Sequence, residues 1–217
     1  MQHFVPPAFR KRQAPEQSRL NRDALQNADL IFVLAGREYR KKFAFELFRQ
    51  RVGTRLLLSV ARFEVRRFSQ LELPQPVNLL TLASDVPPHQ RHFFVLFENR
   101  QCSVEHIRPG RFGTLTEIAE LARRLDEKPE IRSVLVVSSD MHLRRVRLCC
   151  QSLLRPGLQF SLLAAPDISN AHRRSEPSSA VIIVEAMKTV LYWVIFRFRR
   201  KSASRKSAYV ARSSPEC

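Results

Sequence analysis

Three short, almost wholly apolar runs frame this chain: Leu30–Leu34, Leu56–Ser59 and Val134–Val137. A strand with one face in water alternates apolar and polar residues, so a run without alternation predicts a strand covered on both faces. Between the first two runs, Phe43, Leu47 and Phe48 recur at helical spacing over Tyr39–Arg51, and Gly53 supplies a stop. Strand, helix and strand in that order form the βαβ unit of a parallel sheet. The third run leads directly into a helix expected over Met141–Leu154. Further strands are expected at His92–Phe97 and Gly157–Ala164, with a helix from Thr114 to about Asp126. Phe63–Leu71 has helical spacing, whereas Leu73–Pro88 holds four prolines and reads as a loop around the apolar piece Val77–Leu80. The pattern predicts an α/β fold with a mainly parallel sheet, the three apolar runs being neighbouring central strands.

The two ends differ from this middle. Residues 1–22 carry five basic groups and one acid, and residues 197–217 carry seven and one. They read as an irregular basic lead-in over 1–22 and a basic flexible tail over 199–217, around one domain over 23–198. A short helix is expected at Asn21–Asn27. The formal net charge is +17, and 30 of the 37 basic residues are arginine. Such an excess favours anionic partners, namely nucleic acid, anionic lipid or phosphorylated ligands. Arginine-rich solvated tails give the same charge with no partner. No nucleic-acid recognition motif is visible, so no specific nucleic acid is expected. Apolar residues at 44% and charged residues at 26% exclude a wholly disordered chain, a collagen and a multi-span membrane protein.

Cys102, Cys149, Cys150 and Cys217 form neither a CxxC pair nor a zinc spacing, and read as reduced, partly buried thiols suited to the cytoplasm. Met1 to Asp29 contains no apolar core of the kind a signal peptide carries. Ala180–Phe198 spans 19 residues, roughly 28 Å as a helix. Glu185 and Lys188 interrupt it, so it is expected to pack on the sheet through Val181, Val184, Met187 and Leu191 rather than to span a bilayer. Its end, Tyr192–Phe196 before the basic run Arg197–Lys201, suits peripheral contact of residues 192–201 with an anionic membrane surface. The expected location is therefore cytoplasmic or peripheral at the inner face of the membrane.

Ligands of open parallel sheets bind beyond the carboxyl ends of the strands. The predicted strands deliver Arg37, Arg40, Ser59, Ser138, Ser139, His142 and Arg145 to that edge, and Thr114 and Glu117 open a nearby helix. Helix starts and arginine forks both suit phosphate or carboxylate. The convergence points to an anionic ligand such as a nucleotide, an adenosyl cofactor or a lipid phosphate. Thr114-x-x-Glu117 also reads as a capping box, and Ser139 as a simple N-cap. His142 reads either as a structural histidine or as an acid/base or ligand-binding group. No GxSxG or GxGxxG is present, and His89 and His92 beside two prolines are a weak metal pair, so no metal is expected.

Several pieces in order resemble one family, the YdcF/SanA/ElyC-like proteins or domain of unknown function 218. They are the strand and turn Asp29–Gly36, Arg40 in the next helix start, Arg55–Ser59 ending in serine, Gly113–Glu117, and Val134–Arg145 with its serines, His142 and Arg145. Where the family carries a second acid, this chain has Thr116, leaving Glu117 as the only carboxylate of that helix start. The resemblance implies a Rossmann-like three-layer αβα sandwich and, in many members, a role at the bacterial envelope. It supports catalytic roles for His142 and Glu117, with Arg37, Arg40, Ser59, Thr114, Ser138, Ser139 and Arg145 binding the ligand. The expected function is binding of a phosphorylated or nucleotide-like anion, as an enzyme of envelope metabolism or as a non-catalytic envelope-associated factor that retains the pocket.

Overall fold

The computed structural model describes residues 28–68, 71, 73, 77–99, 101–108, 110, 113–167 and 183–197. The basic lead-in, the helix expected at Asn21–Asn27 and the tail lie outside the described residues.

Six strands form one sheet: β1 (Leu30–Val33), β2 (Arg55–Ala61), β3 (His92–Glu98), β4 (Gln101–His106), β5 (Ser133–Ser138) and β6 (Gln159–Ala164). Their order is β4-β3-β2-β1-β5-β6. β1 pairs in parallel with both β2 and β5, and β5 with β6. β3 runs antiparallel to β2 and to β4. The three apolar runs are thus adjacent central strands, as their lack of alternation predicts. Asp29 fastens β1 to β5 at the amino edge, where its carboxylate accepts the N–H groups of Arg132 and Ser133.

Helices cover both faces, giving a Rossmann-like three-layer sandwich. The helices are α1 (Glu38–Arg49), α2 (Val65–Phe68), α3 (Leu79–Ser84), α4 (Gly113–Glu127), α5 (Leu143–Leu153) and α6 (183–197). One core layer joins Leu30, Phe32 and Val134 of the sheet to Ile118, Leu121, Val146 and, from α6, Tyr192 and Phe196. The other joins Ile31, Val33, Leu56 and Leu58 to Ala44, Phe45, Leu79 and Ala83. Alternate residues of one strand therefore feed opposite layers.

Three expectations need correction, and one strand, Gln101–His106, has no counterpart among them. Only Cys102 and Val104 of it turn toward the core, too few apolar positions to register as a pattern, and a positive φ of 48° at Asn99 makes the hairpin turn. Leu79–Ser84 is a short helix capped by Asn78, whose side chain accepts the Thr81 N–H at 3.2 Å. The helix after β5 begins at Leu143, preceded by a 3-10 turn over Asp140–His142, so His142 sits at its N-cap. Finally, α6 packs through Glu185, Tyr192 and Phe196, while Val184, Met187 and Leu191 are exposed; Val181 lies outside the described residues. Among the described residues, no helix is long and apolar enough to cross a membrane. Cys149 and Cys150 are free, and burial pushes both thiols up to about 12.

Candidate functional site

The strand order reverses at β1: the chain moves to β2 on one side and returns to β5 on the other. The carboxyl ends of β1 and β5 lead there into α1 and, through a 3-10 turn, into α5, and ligands of open parallel sheets bind beyond that edge. The turn after β1 is Leu34-Ala35-Gly36-Arg37, and Arg40 follows in the first turn of α1.

Arg40 is buried, at 6% exposure, and its guanidinium donates to the Ala35 carbonyl at 3.1 Å. Gly36 makes room for it. A Cβ at Gly36 would lie 2.2 Å from one guanidinium nitrogen, and its φ of +141° disfavours any side chain. Arg37 is exposed and pairs with Asp167 at 3.4 Å. These residues line a cleft of about 180 Å³, closed on its other side by Phe63, Glu64, Arg67 and Phe68. Lys41 at its floor is paired with Glu64; burial pulls the ammonium below its ordinary range, against the attraction of that carboxylate. Glu64 is itself anchored by the Ala61 N–H at 3.0 Å.

On the other side of β1, Ser138 ends β5 with its hydroxyl buried and without a partner among the described residues. Ser139 does not cap the following turn with its side chain. His142 Nδ1 donates to Glu185 of α6 at 3.0 Å, and Arg145 donates to the same carboxylate oxygen. Lys188 donates to the other oxygen at 2.9 Å. Burial alone would raise the Glu185 carboxyl, but Lys188, Arg145 and His142 hold it below its ordinary range. Burial pulls the His142 imidazole down, with Arg145 and Arg40 acting against the pull of Glu185. Arg145 also lies over the Tyr192 ring, 5.9 Å from its centre.

A second group lies under β2 and α4. Ser59 is fully buried and donates to Glu117 at 2.6 Å. Its lone pair then accepts from His92 Nε2 at 2.7 Å. Glu117 also receives the Ala35 N–H at 2.9 Å, directly beside the carbonyl that holds Arg40. The capping box is therefore not formed: the Glu117 carboxylate reaches across to β1 and β2 instead of back to Thr114, which is half-buried at the helix start.

The structure thus brings Arg37 and Arg40 to the cleft and gathers His142 and Arg145 around Glu185, within electrostatic reach of Arg40. It withdraws Ser59 and Glu117 into a closed network. Three participants were not singled out by sequence. Glu185 registers in the sequence only as a break in an apolar helix, His92 as half of a weak metal pair, and Lys41 as one of three consecutive basic residues. No protein-family model, no curated protein and no solved structure matches this chain.

Proposed function

We propose that the cleft beyond the carboxyl ends of β1 and β2 binds a phosphorylated or nucleotide-like anion, with Arg40 as its principal holder and Arg37 and Arg67 at its mouth. One observation carries the reading. Of the four buried side-chain atoms without a hydrogen-bond partner among the described residues, three are Arg40 Nε, Ser138 Oγ and Arg145 Nε. Arg40 lines the cleft, Ser138 is the last residue of β5, and Arg145 lies in the first turn of α5. Buried polar groups are almost always satisfied, so Arg40 Nε, left over on a residue that lines the cleft, is the donor best placed to meet a ligand. The α1 start adds free N–H groups, since Arg37 offers no side-chain cap.

The residues favour binding over nucleophilic catalysis. Ser59 is sealed from solvent and its proton is committed to Glu117. The group best placed for acid/base work is His142: Glu185 fixes its Nδ1, leaving Nε2 without a partner among the described residues. The resemblance to the YdcF-like family supports the same edge as a ligand site and suggests a setting at the bacterial envelope. Native mass spectrometry of the purified chain, alone and with ADP or pyrophosphate, tests the reading. A retained or added phosphate compound lost from Arg40→Ala is expected. No bound species under any of these conditions would contradict it.

A further inference from the structure

α6 uses one narrow face to pack and leaves the rest in water. Glu185, Tyr192 and Phe196 are buried, yet Ile183, Val184, Met187, Val190, Leu191 and Trp193 are 45–66% exposed. At 100° per residue these six sweep about half of the helix surface. A helix apolar nearly all round needs a second apolar neighbour. Spanning does not provide one, because Glu185 ties the helix to His142 and Arg145 of the domain.

Beside this face runs a groove of about 370 Å³ between α5 and α6, lined by Arg144, Arg147, Leu148, Gln151, Val190 and Trp193. No acid lines it. Arg144 and Arg147 are exposed, and neither makes an ion pair among the described residues. Lys188 and Arg197 flank the same face, and the sequence continues Phe198-Arg199-Arg200-Lys201. An apolar floor with a cationic rim complements a surface that is apolar inside and anionic at its border.

We propose that this face of α6, with Arg144 and Arg147 of α5, docks the domain on an anionic phospholipid surface. Met187, Val190, Leu191 and Trp193 enter the interfacial region, and the arginines engage lipid phosphates. Charge decides the occupant. A second copy of the chain would bring the same arginines and no acid to the contact, and the segment over 1–22 is also basic. An anionic bilayer supplies the missing counter-charge. The docking face lies on the opposite side of α6 from Glu185, so the helix that touches the membrane also holds His142 and Arg145. This face is separate from the cleft at Arg40, and either proposal can fail alone.

Trp193 is the chain's only tryptophan, which makes it an internal probe. The full chain is floated with vesicles of phosphatidylcholine, with and without about a quarter phosphatidylglycerol, while Trp193 emission is followed. Expected are co-flotation and a blue shift with the anionic vesicles only, both weakened by added salt. The double variant Met187→Asp/Leu191→Asp changes exposed positions and should weaken binding by about tenfold or more. Arg144→Glu/Arg147→Glu should weaken it by at least about fivefold per residue, with circular dichroism unchanged in both. Equal binding to pure phosphatidylcholine, no flotation at all, or binding untouched by both variants would overturn the proposal. So would a Trp193 already shielded without vesicles, whether in a dimer by light scattering or in a monomer covered by its own chain.

Discussion

Two polar groups sit at the same edge of the sheet and differ in how their hydrogen bonds are spent. Under β2, Ser59, His92 and Glu117 satisfy one another, and the Ala35 N–H completes the set. Between β1 and β5, Arg40, Ser138 and Arg145 are equally buried, yet each keeps one atom unpaired. Burial alone does not distinguish a structural network from a binding site. What separates them is the count of donors that the protein itself uses. A closed network rigidifies the edge and gains nothing from a ligand, whereas an open one carries a desolvation cost that a ligand removes.

The largest expected effect tests the helix that backs the open side. Glu185→Ala leaves Arg145 buried without its counter-charge and frees His142, and should cost about 3 kcal/mol of stability. Urea unfolding measures it, and a change below about 1 kcal/mol would mean that α6 is held by Tyr192 and Phe196 alone. On the closed side, Glu117→Gln removes a charged acceptor from Ser59 and Ala35 and should cost about 1–3 kcal/mol. The amide oxygen introduced by Glu117→Gln would still accept the Ala35 N–H that lies beside Arg40, so phosphate-compound affinity should stay within about twofold of the original chain. If instead affinity collapses while stability holds, the two groups have been assigned the wrong way round.

Gly36→Ala sharpens the contrast from the open side. Its Cβ would displace the Arg40 guanidinium, so affinity should fall by about tenfold with a smaller loss of stability, read by titration and by melting. The smallest effect is in the pH profile. The folded chain binds a proton at His142 less readily than the unfolded chain, whose imidazole has the ordinary value of 6.5. The stability that depends on neutral His142 is therefore present above that value and is lost as pH falls toward the lowered folded one. Glu185 adds a second loss at lower pH, from its ordinary 4.5 downward. Urea midpoints should drop as pH falls below the ordinary imidazole value of 6.5, and His142→Gln should flatten that part of the curve. An unchanged slope would remove His142 from the account.

The central sheet was readable because β1, β2 and β5 are buried on both faces and carry no polar alternation. β4 was not, because an edge strand with two inward residues has no pattern to detect. Arg40, His142 and Arg145 were legible as positions just past strand ends, a matter of chain order alone. Their partners were not, because Glu185 arrives from a helix 40 residues beyond Arg145 and His92 from an antiparallel neighbour. The packed face of α6 was misread for a related reason. When nearly every position of a helix is apolar, periodicity no longer marks which side is inside. The single carboxylate was the better signal, since a buried acid in an apolar helix needs a cation opposite it.

The most direct test is a calorimetric titration of ADP and pyrophosphate into the original chain, Arg40→Ala and Glu117→Gln. The account predicts saturable binding to the original chain, a loss of about 10- to 100-fold in Arg40→Ala, and near-original affinity in Glu117→Gln. No heat of binding to the original chain, or equal binding by Arg40→Ala, would contradict it.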